Sequence, residues 1–219
     1  MTGTVLVTGA NRGIGQGFVA AYAAGGWTAI GTARRPEPGS DLLPLDVADP
    51  HSIAALASRL DGRPIDLLIN NAGLFGPRDG RIGQIDYAAW QEVIETNLYG
   101  PVRVTEALLP NLRAARGRKI VTLSSAMGSI AQNMGGGNEI YRSSKSGMNA
   151  AMRSVAMDLR SDGFAVAVIS PGWVKTDMGG PGATIDVATS VAGMKRVIER
   201  LSPSNTGRFW SWCGSELPW

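Results

Sequence analysis

A chain of 219 residues with 44% hydrophobic residues and a formal net charge of +3 is typical of one globular domain, expected here over 1–219. Its 21 lysines and arginines are dispersed, so a nucleic-acid interface is not indicated, and a bound phosphate better explains one or two of them. The single cysteine, Cys213, excludes an intrachain disulfide and a cysteine-rich metal site, so we expect no metal and a reducing compartment.

The N-terminal half alternates between predicted strands and helices. The N-terminus begins with a β-branched strand, Thr4–Val7, and lacks the charged and apolar regions of a signal peptide. No apolar run is long enough to span a membrane. We therefore expect a cytoplasmic protein without membrane contact. A glycine turn at 8–15 leads into a helix that ends near Gly25, and strands follow at 27–33, 42–46 and 65–69. A helix at 50–60, capped by Asp49, carries the only histidine, His51, in its exposed first turn, which disfavours Ser-His-Asp hydrolysis.

The C-terminal half continues the alternation. A long helix is predicted over 87–115, with Asp86 as its cap and interruptions at Pro101 and Pro110. Strands follow at 119–123, 165–169 and 207–212, and helices at 141–161 and from Asp186 to 201. This order predicts an α/β fold: a single doubly wound Rossmann-type domain with a seven-stranded parallel sheet and helices on both faces. Such sheets bind ligands beyond the carboxyl ends of their strands.

Three glycines occupy the turn after the first strand. Gly9, Gly13 and Gly15 lie where the chain passes from strand to helix, and residues without a Cβ let the backbone approach a pyrophosphate closely. Their spacing, Gly-x3-Gly-x-Gly, departs from the G-x-G-x-x-G dinucleotide fingerprint. The alternative is a turn that keeps glycines for tight packing. The position after the first strand favours dinucleotide binding.

The end of the second strand predicts which dinucleotide is bound. An acidic residue at this position would select a free ribose 2′-hydroxyl, whereas a cation accommodates a 2′-phosphate. This chain has Arg34 and Arg35 there and Arg12 in the glycine turn, and two guanidiniums that converge on one phosphate favour NADP over NAD. The alternative is that these arginines are only solvated. Asp46 and Val47, at the end of the third strand, are expected to flank the adenine.

A phenol and an ammonium lie four residues apart in the sequence YRSSK at 141–145. On a helix, Tyr141 and Lys145 share one face, where the cation can favour the phenolate. Such pairs also arise by chance on many helices, so the catalytic interpretation depends on the other motifs.

Six motifs occur in one order: TGANRGIG at 8–15, NNAG at 70–73, Asn97 in NLYG, Ser124-Ser125, YRSSK at 141–145 and PGWVKTD at 171–177. Together they resemble the short-chain dehydrogenase/reductase family over nearly the whole chain. Within that family, TGANRGIG, PGWVKTDMGG and the final GRFWSWCGSELPW are similar to the branch of sniffer-like carbonyl reductases and C-factor proteins.

The resemblance implies roles for four catalytic residues. Tyr141 would be the general acid in carbonyl reduction and the base in alcohol oxidation, with Lys145 lowering its pKa and holding the nicotinamide ribose. Ser125 would polarise the substrate carbonyl, with its neighbour Ser124 as the competing choice, and Asn97 would hold a water that links Lys145 to solvent. The full predicted cofactor site comprises Gly9, Asn11, Arg12, Gly13, Ile14, Gly15, Arg34, Arg35, Asp46, Val47, Asn71, Ala72, Gly73, Tyr141, Lys145, Pro171, Gly172, Val174 and Thr176.

Two departures from the family pattern concern the substrate pocket. The stretch between Ser125 and Tyr141 is longer than in many members and contains Gly135-Gly136-Gly137, and the segment after Asp177 is short. We therefore expect an open, permissive pocket, bordered by Met127, Met134, Trp173 and Met178.

Three tryptophans near the C-terminus bear on assembly. Trp210, Trp212 and Trp219 would lie at or after an edge strand, which leaves polar backbone and large aromatics exposed unless another subunit covers them. The helices from Asp86 and Tyr141 could also pair across a twofold axis, as in related family members. We expect a homodimer or homotetramer.

The sequence thus favours an NADP(H)-dependent oxidoreductase that moves hydride between the nicotinamide and a ketone, aldehyde or secondary alcohol. The alternative is an NADP-binding signalling or regulatory protein whose turnover is incidental. Intact Tyr141, Lys145, Ser125 and Asn97 argue against that alternative, because a binding module does not need them. A sugar-nucleotide epimerase is disfavoured because the chain is too short for a separate substrate domain.

Overall fold

One parallel sheet forms the centre of the molecule. A computed structural model describes residues 2–78 and 82–219, so the expected domain over 1–219 lies within the described residues except at 1 and 79–81. The strands, in the spatial order β3-β2-β1-β4-β5-β6-β7, all pair in parallel, which confirms the predicted doubly wound sheet. They are β1 (Thr4–Val7), β2 (Thr28–Ala33), β3 (Leu43–Pro44), β4 (Leu67–Asn70), β5 (Lys119–Leu123), β6 (Ala165–Ser170) and β7 (Arg208–Ser211).

Helices cover both faces of the sheet, as predicted. The helices are α1 (Gly13–Ala23), α2 (Pro50–Arg59), α3 (Tyr87–Ile94), α4 (Gly100–Ala107), α5 (Leu109–Ala114), α6 (Glu139–Asp158) and α7 (Val187–Glu199). Strand residues alternate between the two faces, so that Leu6 packs with α2, α4 and α6 whereas Val5 and Val7 pack with α1 and α7. Both faces are apolar, which explains why the central strands read as continuous hydrophobic runs.

The helix predicted over 87–115 is interrupted. Asp86 caps α3 as expected, its carboxylate accepting from the Ala89 N–H at 2.9 Å. Glu95–Tyr99 then form a π-helical turn, and Pro101 and Pro110 each lie in the first turn of a new helix. The interruption expected near Pro101 is therefore present, and the π-helical turn carries Asn97, which is fully buried.

Five strands differ from the predicted bounds, three of them (β2, β6 and β7) by one residue at one or both ends and two of them, β3 and β4, by more. The third strand, predicted over 42–46, is reduced to Leu43–Pro44, because an edge strand that contains a proline lacks one backbone donor. The fourth strand starts at Leu67 rather than at residue 65, and extends to Asn70. The carboxyl ends of β1, β4, β5 and β6 nevertheless meet at one edge of the sheet, where the predicted site residues follow them.

The C-terminal tail folds back on β7. The Leu217 N–H donates to the Phe209 carbonyl at 2.8 Å, and the Trp219 ring stacks on Phe209 with centroids 5.5 Å apart. The Trp219 carbonyl also accepts from the Ala131 N–H at 2.9 Å. The chain thus covers part of its own sheet edge, and the need for another subunit there stays a prediction.

Candidate active site

The glycine turn after β1 packs against the segment that follows β4. Nδ2 of Asn71 donates to the carbonyls of Thr8 and Gly9, both at 2.8 Å, and so clamps the turn. Gly9 and Gly13 have positive φ angles of 64° and 55°. A Cβ on Gly15 would lie 2.2 Å from the Gly9 carbonyl oxygen, so this position cannot hold a larger residue without movement of the backbone.

The first turn of α1 leaves its backbone donors available. Arg12 precedes the helix without a side-chain cap, and the first turn contains no acidic residue. These N–H groups and the positive end of the helix dipole face a cavity of about 490 Å³, which Gly9, Arg12, Gly13 and Ile14 help to line. A turn of this kind is suited to a phosphate group.

Two adjoining cavities share the segment after β4. The larger is lined by residues from all four strand ends, namely Gly9, Asn11, Arg12, Gly13, Ile14, Asn71, Ala72, Gly73, Leu74, Leu123, Ser124, Tyr141, Lys145, Pro171, Lys175, Thr176, Asp177, Met178 and Val187. The smaller, of about 110 Å³, is lined by Arg34, Leu45, Asp46, Val47, Ala72, Gly73, Leu74 and Thr96. The shared residues 72–74 make one elongated site.

The arginines predicted to converge on one phosphate lie at different places. Arg34 lines the smaller cavity, whereas Arg12 lines the larger one and forms a salt bridge with Asp177. Arg35 is exposed and lines neither cavity. Arg34 is therefore the arginine that the structure places beside Asp46 and Val47.

Tyr141 and Lys145 lie on the buried face of α6 and line the larger cavity together. Burial raises the pKa of Tyr141 to about 12, and this rise is opposed by a hydrogen bond with Ser125 and by the charge of Arg78. Burial also lowers the pKa of Lys145 to about 8. The lysine Nζ donates to the Leu123 carbonyl at 2.9 Å and lies 5.9 Å from the centre of the Tyr141 ring. In this structure burial, rather than Lys145, has the main influence on the pKa of the Tyr141 phenol.

The two neighbouring serines after β5 have different environments. The Ser124 hydroxyl is buried and donates to Oδ1 of Asn149 at 2.7 Å, so it is used within the core. Ser125 is half-buried, accepts from the Met127 N–H at 3.1 Å and reaches the Tyr141 phenol. The cavity lining includes Ser124 and not Ser125, but the Ser124 hydroxyl is held by Asn149, so Ser125 as the group that meets a substrate stays a prediction.

The side chain of Asn97 is fully engaged inside the protein. Its Oδ1 accepts from the Leu74 N–H, and its Nδ2 donates to the Leu74 carbonyl, both at 2.8 Å. Nδ2 also donates to the Ser144 hydroxyl at 3.0 Å. A Cβ on Gly73 would lie 3.1 Å from Oδ1 of Asn97 and 3.5 Å from Nζ of Lys145. Oδ1 of Asn97 and Nζ of Lys145 therefore both lie next to Gly73.

Several predicted site residues do not line the cavity but pack behind the residues that do. Gly15 packs on the Gly9 carbonyl, Val174 is buried, and Gly172 lies close to the Ile185 and Trp212 side chains. Of the residues expected to border a substrate pocket, Met178 lines the larger cavity, while Met134 is 92% exposed.

Two residues near the phenol carry no motif in the sequence. The Phe75 ring stacks on Tyr141 with centroids 4.3 Å apart, and the Arg78 guanidinium lies 4.2 Å from the Phe75 centroid. Both belong to the loop after β4, where no periodic pattern assigns a direction to a side chain. Only their proximity to NNAG at 70–73 could have suggested them.

The described residues form neither a metal-binding cluster nor a membrane-spanning helix. They contain no cluster of three or more His, Cys, Asp or Glu side chains arranged to hold a metal. None of the described helices has the length and apolar character to cross a bilayer.

Comparison with known proteins identifies related sequences and structures. A family model described as short chain dehydrogenase matches residues 3–184. The C-signal protein of Myxococcus xanthus is 46% identical over 165 residues, which cover 75% of this chain and 99% of that protein.

Solved structures match over nearly the full length. Carbonyl reductase Sniffer of D. melanogaster superimposes with a TM-score of 0.93 and 31% identity, and covers 100% of both chains. The NADPH-bound carbonyl reductase from chicken fatty liver has a TM-score of 0.90 and 35% identity, and covers 99% of this chain and 98% of its own.

Proposed function

The chain belongs to the short-chain dehydrogenase family of oxidoreductases, and on that premise we propose that it is an NADP(H)-dependent carbonyl reductase. Its substrates would be ketones or aldehydes, or secondary alcohols in the reverse direction. The observation that carries the proposal is that Tyr141, Lys145 and the glycine turn line one cavity. The two carbonyl reductases described above, one of them bound to NADPH, support the same reaction class.

The residues of the elongated site fit a dinucleotide. Uncapped N–H groups at the start of α1 would hold the pyrophosphate, and Lys145 would hold the nicotinamide ribose. Asp46 and Val47 would flank the adenine in the smaller cavity, with Arg34 on a 2′-phosphate. When bound, the nicotinamide supplies the hydride in reduction and accepts it in oxidation. We infer that NADP is preferred over NAD because no carboxylate follows β2 in the position that would bind a free 2′-hydroxyl.

The protein's own side chains would donate the proton and stabilise the phenolate that remains. Because burial raises the pKa of Tyr141 to about 12, the phenol is protonated at neutral pH and can donate to a carbonyl oxygen. Ser125, which reaches the phenol, would donate a hydrogen bond to the same oxygen and polarise the carbonyl. Lys145, with a pKa of about 8, is charged over most of the neutral range and would favour the phenolate left after proton transfer. The side chain of Asn97 would hold the segment after β4 beside Lys145, and the water expected between Asn97 and Lys145 stays a prediction.

A panel of aromatic and aliphatic ketones and aldehydes, assayed with NADPH and with NADH, tests the proposal. We expect turnover of at least one carbonyl compound with NADPH and weaker turnover with NADH. Tight NADPH binding without oxidation by any member of the panel would contradict the enzymatic function.

That outcome would favour a second function, an NADP-binding signalling or regulatory protein. The similarity to the protein named C-signal supports this alternative, since the match covers 99% of that protein. The four side chains Asn97, Ser125, Tyr141 and Lys145 favour the enzyme, because binding alone does not need a proton donor.

We also propose that the protein is a homodimer or homotetramer. This proposal rests on the helices from Asp86 and Tyr141, since the C-terminal tail already covers part of the sheet edge. Light scattering of the full chain would test it, and a monomer mass at assay concentration would contradict it.

A further inference from the structure

The proposed proton donor, Tyr141, is one of three stacked side chains. The Phe75 ring is stacked on the Tyr141 ring, with centroids 4.3 Å apart and planes 19° apart. The Arg78 guanidinium lies over the Phe75 ring, 4.2 Å from its centroid. Stacked aromatic rings and a cation over an aromatic face attract each other, so the three groups restrain one another.

The backbone explains why this loop turns towards Tyr141. Gly76 has a φ of 78°, and a Cβ there would lie 3.0 Å from Cγ2 of Val93 and 3.4 Å from Cγ2 of Ile140. The chain therefore turns tightly against α3 and against the residue that precedes Tyr141. This turn presents Phe75 to the phenol and lets Arg78 fold back over Phe75.

Arg78 also contacts the opposite side of the cavity. Its guanidinium donates to the carbonyl of Met178, which lies in the loop between β6 and α7 and lines the larger cavity. That loop, residues 171–186, contains Trp173, whose Nε1 donates to the Gly179 carbonyl at 2.8 Å. Arg78 thus joins the 171–186 loop to the aromatic stack.

We propose that Arg78 is a positioning residue that, through Phe75 and Met178, ties the 171–186 loop to the Tyr141 phenol. The assignment rests on the proposed function, in which Tyr141 is the proton donor. A substrate that enters the cavity would then meet a phenol whose plane and electrostatic surroundings are already fixed. Loss of Arg78 would loosen the loop and remove a positive charge near the phenol.

Arg12, Lys175 and Asp177 line the same cavity as the phenol, and three further side chains among the described residues contribute a charge or a hydroxyl near it. Lys145 contributes from α6, Ser125 contributes a hydroxyl from the end of β5, and Arg78 contributes from the loop after β4. The charge of Arg78 lowers the pKa of Tyr141, against the rise caused by burial. Replacing Arg78 with a neutral residue should therefore raise this pKa.

The pH dependence of alcohol oxidation tests the link to Tyr141. Oxidation needs the phenolate, so in Arg78→Met the rising limb of kcat should shift to higher pH, while NADPH affinity stays within about twofold. Arg78→Lys keeps the charge and should return the profile towards that of the wild type. Arg59→Met removes another exposed arginine, at the end of α2, and is the matched control. A wild-type pH profile in Arg78→Met overturns the assignment.

Fluorescence quenching tests the link to the loop without turnover. Trp173 is 56% exposed. Its fluorescence is obtained by subtracting the emission of each protein that carries Trp173→Phe from the emission of the same protein with Trp173 intact. Acrylamide should quench Trp173 more strongly in Arg78→Met than in the wild type or Arg59→Met, and equal quenching overturns the tie to the loop. If the wild type reduces no carbonyl compound, the proposed function fails, while the quenching comparison still decides this part of the proposal.

Discussion

Nδ2 of Asn97 donates to the Ser144 hydroxyl at 3.0 Å, and that hydroxyl donates to the Tyr141 carbonyl at 2.8 Å. The π-helical turn that carries Asn97 is thereby fixed to α6, the helix that carries Tyr141 and Lys145. The other two bonds of the amide hold the backbone of Leu74. One buried side chain thus sets the relative position of three segments around the cavity.

Asn97→Asp should lower both stability and turnover. The change keeps the shape of the side chain but removes both donors, and it places a carboxylate oxygen against the Leu74 carbonyl. Loss of these buried hydrogen bonds should cost about 3 kcal/mol in the free energy of unfolding. Urea unfolding would measure this, with Asn133→Asp as control, because exposed Asn133 uses only its Oδ1, as an acceptor for Gly136. Equal losses in the two variants would refute a specific role for Asn97.

Tyr141→Phe should abolish most turnover and leave NADPH binding nearly intact. Phenylalanine keeps the ring that stacks on Phe75 but has no proton to transfer, so kcat should fall by about 10²- to 10⁴-fold. Initial rates with the best carbonyl substrate and fluorescence titration with NADPH would measure the two effects. Tyr87→Phe, at a tyrosine that is 73% exposed, should behave as wild type. Full residual activity in Tyr141→Phe would remove it from the mechanism.

The sequence predicted those parts of the fold and site that follow from periodicity and strand ends. β1 and β5 have the predicted bounds, because uninterrupted β-branched and apolar runs ended at glycine or serine signals. Tyr141 and Lys145 were placed correctly on one helical face, because a spacing of four residues determines it.

Loop geometry and long-range hydrogen bonds were not predictable in this way. The stack of Arg78 and Phe75 on Tyr141 depends on the positive φ of Gly76, and the salt bridge of Arg12 joins it to Asp177, 165 residues away. No local pattern encodes either contact. Arg12 and Arg34 line different cavities, and their convergence on one phosphate stays a prediction, because it depends on side-chain directions that no local pattern determines.

Arg34→Asp should weaken NADPH binding far more than NADH binding. Arg34 lines the smaller cavity, so the new carboxylate would repel a 2′-phosphate and favour a free hydroxyl. A lost charge-assisted hydrogen bond should reduce NADPH affinity by about 10- to 100-fold. Arg35→Asp carries the same charge change outside both cavities and should have a much smaller effect. Equal losses for the two variants would mean that overall charge, rather than the position of Arg34, governs the cofactor preference.

Lys145→Met should change how stability depends on pH in the alkaline range. Burial lowers the pKa of Lys145 from 10.5 to about 8, so between these values the unfolded chain holds a proton that the native protein has lost. The wild type's free energy of unfolding should therefore gain about 1.5 kcal/mol from this group between about pH 8 and about pH 9.5.

The methionine variant has no proton to lose at this position, so it should lack that gain and should be relatively more stable at the lower pH. Urea unfolding at several pH values, without added nucleotide, gives the difference between the two proteins. Staying below pH 9.5 avoids the range in which Tyr141, whose pKa is raised to about 12, would contribute with the opposite sign. Lys195→Met is the control, because the half-buried Lys195 also donates from Nζ to a carbonyl, that of Ala21, at 2.7 Å. Parallel curves for the wild type and Lys145→Met would show that the ammonium is not destabilised by its burial, and the phenol would then have a fully charged neighbour throughout the neutral range.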